Sequence, residues 1–380
     1  MKVALLGTRG IPASYSGFET CVEELGTRLV RRGHDVTVYC RSHHVTYEGS
    51  HYKGMRLVKL PTIQNKYLDT IVHSFLSSLH AATRGYDVAL YFIVGNSPVV
   101  WIPRLAGQKT ILNVDGLDWK REKWPPPAKQ YIRFAERLAT FLPNAFLTDS
   151  RVVQRYYEDS YGTRPPYIAY GAEVDPLPPG ETLQRFGLDP RNYVLFVGRL
   201  VPENCIHHLI EAFKGLQKPP GMKCVIVGDA AYQKEYIRSL KAMAGDDVIF
   251  TGYVFGEGYR ELSSNAYTFV ETSGVGGTHP ALLEAMGFGN CVITNATAEN
   301  METVGAVGFS YDGNAGAPSL REVLQRLLDQ PGLVAERRLL SRAYVREHYS
   351  WERITEQYLS LFYQVLGQQA PSVQGIEELH

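Results

Sequence analysis

The sequence predicts an α/β protein made of two Rossmann-like domains that face each other across a cleft. Three observations carry this expectation. Short β-branched runs alternate with longer amphipathic stretches, the rhythm of βα units on a parallel sheet. That rhythm runs twice, each time opening on a strand that ends in glycine: "KVALLG" at 2–7 and "YVLFVG" at 193–198. Between the two series lies "YGAEVDPLPPGE" (170–181), dense in proline and glycine as an interdomain linker would be. The expected division is a first domain over 1–170 and a second over 171–349. A C-terminal helix over 350–367 is expected to pack back on the first domain, with a loose tail over 368–380.

In the first series the strand candidates are 2–7, 35–40, 56–60, 87–93, 109–114 and 145–149. Between the first two, "GFETCVEELGTRLVRRG" repeats Val22, Leu25 and Leu29 at helical spacing, and Gly33 supplies the stop. In the second series the strands are expected at 193–198, 223–228, 247–252, 268–272 and 291–294. Helices are expected through "HHLIEAFKGL", "QKEYIRSLKAMA" and "HPALLEAMGF". Ligands of such sheets bind beyond the carboxyl ends of the strands, so the loops there carry the search for chemistry.

Composition narrows the function classes. At 380 residues, with 39 basic and 39 acidic side chains, the chain has no global attraction to nucleic acid or membrane. The five cysteines are scattered, odd in number and lack C-x-x-C spacing, which reads as reduced core residues of a cytoplasmic protein. "MKVALLGTRG" is too short in apolar residues for a signal peptide, and no run of about 18 apolar residues suggests a membrane span.

Three loops carry candidate chemistry. "GTRGIPASYSGFE" (7–19) places Gly7, Gly10 and Gly17 between strand and helix, where backbone N–H groups can face an anion or polar ligand. It is neither G-x-G-x-x-G nor a Walker A loop. The plain alternative is that its glycines only permit tight turns. In "VGRLVPEN" (197–204), Arg199 leaves a strand end and can grip a phosphate, or else form a surface ion pair with Glu203. "SGVGGTHPALLEAMGFGNCVI" sets a glycine loop before a helix that opens on Pro280. Exposed amides and the helix start suit a diphosphate without a metal. Glu284 lies about one turn in, at a depth suited to accepting hydrogen bonds from paired hydroxyls such as a ribose. An ordinary solvated helix residue is the alternative reading. Tyr253, at a strand end after "FTG", is a candidate to face a base. No D-x-D motif occurs, so no metal site for a diphosphate is expected.

These stretches together resemble the retaining glycosyltransferases of family 4, which have the GT-B fold, and the resemblance covers nearly the whole chain. It implies that Arg199 contacts the donor diphosphate and Glu284 the nucleotide ribose, with the first domain receiving the acceptor. The departures are specific. Gly276 stands where that family has its first glutamate, and Asn204 replaces the usual diphosphate lysine. Asp115, in "NVDGLDWKREKW", stands where many relatives have a histidine beside the reacting sugar. "GTRGIPASYSGFET", "NVDGLDWKREKW", "GRLVPEN" and "GGTHPALLEAM" together look like bacterial rhamnosyltransferases of cell-surface polysaccharide synthesis, although that subgroup usually has asparagine at the place of His279. The resemblance implies dTDP-β-L-rhamnose as donor and a lipid-diphosphate-linked sugar as acceptor. Amides of Gly277 and Thr278, near Gly276, and the His279 side chain are then the candidates to hold the donor sugar. Asp115 is expected to orient the sugar or acceptor hydroxyl, with turn capping as the alternative.

The stretch 119–142 mixes Trp119 and Trp124 with Lys120, Arg121, Lys123, Lys129 and Arg133, a composition suited to resting on anionic lipid at the inner face of the plasma membrane. Other readings remain open at this stage: a family 4 enzyme using a UDP-hexose, a non-catalytic sugar-nucleotide binder, and a nucleotide-sugar epimerase of the same architecture. A nucleic-acid partner is not expected.

Overall fold

The computed structural model describes residues 1–13, 17–65, 68–114, 116–120, 124–230, 232–275 and 279–369. Two compact units divide the chain: Met1–Tyr170 together with the segment from Trp351 onward, and Gly171–Ser350.

In the first unit the described strands are β1 (Lys2–Leu6), β2 (Asp35–Arg41), β3 (His51–Tyr52), β4 (Met55–Leu60), β5 (Val88–Phe92), β6 (Lys109–Val114) and β7 (Ala145–Thr148). They form one sheet in the order β3-β4-β2-β1-β5-β6-β7. All neighbours are parallel except β3, which pairs antiparallel with β4 through His51–Arg56 and Tyr52–Met55. Every residue of β5 is buried, as is β1 from Val3 on. Such unbroken apolar runs are what a parallel sheet covered on both faces requires. The order turns at β1, whose neighbours are β2 and β5, so their carboxyl ends flank the topological switch point. Gly7 leaves β1 at φ +96°, and a Cβ there would stand 2.5 Å from the Phe92 carbonyl oxygen, so only glycine fits this turn.

The helix Trp351–Leu366 belongs to the first unit. Trp351 stacks edge-on against Tyr170 at 5.1 Å between ring centroids. Glu352 pairs with Arg28 Nε at 2.8 Å, and the Tyr358 hydroxyl accepts a buried hydrogen bond from Asn113 Nδ2 at 2.9 Å. A buried amide without that phenol would carry a desolvation cost, so the pairing fixes where the helix returns.

In the second unit the described strands are β8 (Tyr193–Val197), β9 (Lys223–Val227), β10 (Val248–Gly252), β11 (Thr268–Glu271), β12 (Cys291–Asn295) and β13 (Phe309–Tyr311), all parallel in the order β10-β9-β8-β11-β12-β13. Its core centres on Val194, Phe196, Ile226, Val270 and Ile293 of the sheet, packed against Leu209, Phe213, Leu320 and Leu324 of two helices. The segment 171–180 forms no regular element apart from a bridge from Ala172 to Ser350.

The strands predicted from sequence all occur; β3 and β13 are additional. Both are short, two and three residues, and lie at sheet edges, where a periodic signal has too few residues to register. The five cysteines are free thiols, four buried and Cys205 half-buried. Among the described residues, no helix is long and apolar enough to cross a membrane.

Candidate active site

At the carboxyl edge of the second sheet, β8 and β9 end in glycines that touch. A Cβ on Gly228 would stand 1.9 Å from the Gly198 carbonyl oxygen. This close approach brings Arg199 out at the edge directly after Gly198. Its carbonyl is held by Asn204 Nδ2 at 2.8 Å. Asn204 therefore ties off the turn with its amide, rather than offering the charge that a lysine there would carry. The Arg199 side chain is half-buried, and among the described residues no carboxylate pairs with it. The ion pair with Glu203 that the sequence left open is not formed.

The helix Pro280–Gly287 begins at the proline, whose absent N–H costs nothing at the first helical position. His279 precedes it at the N-cap. Asn300, fully buried, donates through Nδ2 to the carbonyls of Asn295 (3.0 Å) and Ser273 (3.4 Å). Its Oδ1 must then accept, and the His279 Nδ1 lies 2.8 Å away as the donor. That assignment leaves Nε2 of His279 as the free end of the ring among the described residues. Asn300 is a residue that sequence reasoning missed. Nothing in "TAENM" marks it, because the contact joins side chains 21 residues apart.

Glu284 is half-buried between fully buried Leu283 and Ala285. The Tyr259 hydroxyl donates to its Oε2 at 2.7 Å. Burial, and then the charge of Glu284, push the Tyr259 phenol well above its ordinary range, so it stays a donor. The partner that a carboxylate at this depth requires is thus present within the protein, on the helix Gly256–Asn265. One further carboxylate stands at the end of β11: Glu271, buried, accepts from the Ser273 amide at 2.9 Å and the Ser273 hydroxyl at 2.5 Å. It serves the backbone entering the glycine loop.

Tyr253 follows β10 and is half exposed. Its hydroxyl donates to the Asp229 carbonyl at 3.0 Å, and its ring stacks on Phe255 at 5.6 Å and 15°. The two rings form an exposed aromatic step beside the carboxyl end of β10. Gly276, Gly277 and Thr278 lie outside the described residues.

The first unit's candidate loop is organised differently. Glu19, on the helix Gly17–Arg31, accepts from the Arg9 amide at 3.1 Å, and Glu23 accepts from the Ala13 amide at 2.8 Å. The Gly17 carbonyl accepts from the Tyr170 hydroxyl at 2.8 Å. Two of the amides that the sequence suggested for a ligand are therefore held by carboxylates of the loop's own helix. Asp115 lies outside the described residues. So do Arg121 and Lys123 of the basic stretch. Within that stretch Trp119 and Trp124 turn inward against the core, and Arg133 stacks over Trp119 at 4.2 Å. The large apolar side chains exposed nearby are instead Trp101, Leu105, Phe134 and Phe141.

Two successive parallel-sheet units, with the last helix returned to the first, define a protein of the GT-B fold class. Residues 181–344 match the family described as Glycosyl transferases group 1, and residues 1–173 match a domain of unknown function (DUF1972). Each match covers less than half of the chain, the first lying in the second unit and the second mainly in the first. It is 27% identical over 203 residues to the O-antigen chain mannosyltransferase B of Escherichia coli, covering 51% of this chain and 52% of that protein. The chain spans about half the length of the curated relatives it matches (36–58%). Among solved structures it is similar to sucrose-phosphate synthase from Thermosynechococcus elongatus, with TM-score 0.80, 19% identity and coverage of 96% and 99% of the two chains. It is also similar to Anabaena HepE in complex with UDP and glucose, with TM-score 0.78, 17% identity and coverage of 96% and 100%.

Proposed function

We propose that the protein is a retaining glycosyltransferase that moves L-rhamnose from dTDP-β-L-rhamnose to a lipid-diphosphate-linked sugar in cell-surface polysaccharide synthesis. The observation that carries the glycosyl-transfer reading is the occurrence of Arg199, with no carboxylate partner among the described residues, and a phenol-anchored Glu284 at the carboxyl edge of a sheet that matches the group 1 glycosyltransferases. In this reading Glu284, anchored by the Tyr259 hydroxyl, accepts hydrogen bonds from the ribose hydroxyls. Tyr253 faces the base. The amides of Gly277 and Thr278, beside Gly276, and His279 Nε2 hold the donor sugar.

The reaction then breaks the bond between the sugar C1 and the diphosphate oxygen. The acceptor oxygen forms its new bond to C1 on the face the diphosphate leaves, and its proton passes to the departing diphosphate. Negative charge grows on the leaving group, and Arg199 is placed to stabilise it more in the transition state than in the ground state. Asp115 orients the sugar or the acceptor hydroxyl, and Gly17, in the first-unit loop, contributes to binding the donor. No metal is assigned to the diphosphate, since D-x-D is absent from the sequence.

For location we propose the cytoplasm, with the first unit resting on the inner face of the plasma membrane. Exposed Trp101, Leu105, Phe134 and Phe141, with Arg104 bonded to the Phe141 and Leu142 carbonyls, support a lipid-facing surface. This moves the apolar contact of 119–142 from its tryptophans to its phenylalanines.

A second reading, a UDP-hexose donor, is favoured by the UDP and glucose bound in the HepE structure. Calorimetry against dTDP, UDP, GDP and NAD, followed by transfer assays with dTDP-rhamnose and UDP-glucose, tests both. Preference for dTDP with rhamnosyl transfer supports the first reading. Preference for UDP transfers the same site to the second, and binding of no nucleotide overturns both.

A further inference from the structure

The first unit holds a second cluster, to which the proposed function assigns no role. Arg41 ends β2, is buried, and donates through Nη1 to Asp69 Oδ2 at 2.6 Å and through Nη2 to the Thr70 hydroxyl at 3.0 Å. Asp69 opens the helix Asp69–Ala82. Its carboxylate is thereby fixed by one oxygen, while Oδ1 is buried without a hydrogen-bond partner. Two consecutive histidines from the turn after β2 converge on the same group. His43 Nε2 stands 3.7 Å from Oδ1, and His44 Nε2 stands 3.4 Å from Oδ2. The two imidazole rings lie 4.0 Å apart between centroids.

The His43 separation is too long for an N–H···O hydrogen bond, which runs at roughly 2.7–3.2 Å. The three side chains converge as the ligands of an ion do, though more loosely. Ligand atoms bound at about 2.0–2.2 Å to a tetrahedral ion stand roughly 3.3–3.6 Å from one another. All three ligand atoms here lie within 4.8 Å of each other, so small side-chain rotations close the set. Among the described residues, no other group of three such side chains converges in this way.

We propose that His43, His44 and Asp69 form a binding site for a divalent transition ion of the zinc class, completed by water. Two imidazoles and one carboxylate oxygen suit zinc, cobalt or nickel, whereas magnesium and calcium would demand more oxygen ligands. Arg41 supplies the outer hydrogen bond that orients a ligating carboxylate and leaves Oδ1 to the ion. The cationic Arg41 next to the ion also lowers the affinity, so the site is reversible rather than a permanent part of the fold. Side chains 21% and 31% exposed give the ion a path in at the histidines. When filled, the site joins the turn after β2 to the first turn of the next helix at the carboxyl edge of the first sheet.

The test uses the full chain without an affinity tag, stripped with a chelator and titrated with Co²⁺ and then Zn²⁺. One Co²⁺ per chain is expected, with visible d–d absorption and no thiolate charge-transfer band, and Zn²⁺ should displace it and raise the melting temperature. His43→Gln and His44→Gln, both at half-exposed positions, should each weaken Co²⁺ binding about 10-fold or more. The apo melting temperature of each variant should stay that of the parent, which separates lost ligation from lost folding. Equal affinity in the variants, thiolate bands that place the ion on cysteines, or no Co²⁺ uptake would each overturn the assignment.

Discussion

The glycine loop after β1 and the carboxyl edge of the second sheet start from the same sequence logic and engage their polar groups differently. In the first unit the loop after β1 satisfies itself: Glu19 and Glu23 hold the amides of Arg9 and Ala13, and Tyr170 holds the Gly17 carbonyl. In the second unit the groups at the sheet edge are each anchored by a side chain from elsewhere in the unit. Asn204 fixes the backbone of Arg199 and leaves its guanidinium unpaired among the described residues. Asn300 holds one ring nitrogen of His279 and leaves the other free among the described residues, and Tyr259 donates to Glu284. Glycine between a strand and a helix thus licenses a turn in both places. What distinguishes a binding edge is whether nearby side chains consume the polar valences or only orient them.

Arg199→Ala should break this contrast most severely. Removing the charge that the proposed mechanism assigns to the leaving group is expected to lower kcat roughly 10²–10³-fold while leaving the melting temperature unchanged, since no ion-pair partner among the described residues is lost. Unchanged turnover, or a drop in stability as large as the loss in rate, would place Arg199 among the structural residues. Glu284→Gln is expected to weaken nucleotide binding about 10- to 100-fold by calorimetry, the worth of charge-assisted hydrogen bonds. Tyr259→Phe should do less, only a few-fold, because the carboxylate stays in place and loses one donor. A Tyr259→Phe effect larger than that of Glu284→Gln would make the phenol, not the carboxylate, the ligand-facing group.

The first-unit loop supplies the opposite case. Glu19→Gln leaves a neutral acceptor where a buried carboxylate took the Arg9 amide, and should cost about 1–2 kcal/mol in urea unfolding with nucleotide affinity unaltered. Weaker nucleotide binding with intact stability would mean that this loop is a ligand site after all.

The division between sequence and structure follows the same line. Repeated strand–glycine–helix units are local, so the alternation at 2–7 and 193–198, the linker at 170–181 and Pro280 at the helix start were all legible. The edge strands β3 and β13 were not, being too short to carry a period. Arg199 and Glu284 stood out because a charge at a strand end and an acid among buried neighbours are visible in a window of ten residues. Tyr259 and Asn300 were invisible for the converse reason. Their roles exist only through contacts 25 and 21 residues away. The tryptophans of 119–142 show the remaining failure: composition identifies an amphipathic basic stretch, but not which of its aromatics the core claims.

Glu136 gives the smallest effect and the finest test of what anchoring by phenols does. Like Glu284 it accepts from tyrosine, in this case Tyr156 at 3.0 Å and Tyr161 at 3.3 Å, but it is 1% exposed. Burial lifts its pKa from 4.5 to about 6, further than the two phenols and Arg133 can pull it back. Below pH 4.5 the group is protonated in both the folded and the unfolded chain, and its burial costs nothing extra in charge. As pH rises through 6 the folded protein must ionise a buried carboxyl that the unfolded chain ionises freely, so stability is lost, by about 2 kcal/mol once the shift is complete. Glu136→Gln keeps an acceptor for the phenols and removes the titration. Its stability relative to the parent should therefore climb between pH 4.5 and 7 in urea unfolding and level off above. A gap that stays constant with pH would show that the phenols neutralise the cost of burial. In that case tyrosine anchoring alone would hold a carboxylate ionised, and Glu284, less buried than Glu136, would need no ligand to explain its setting.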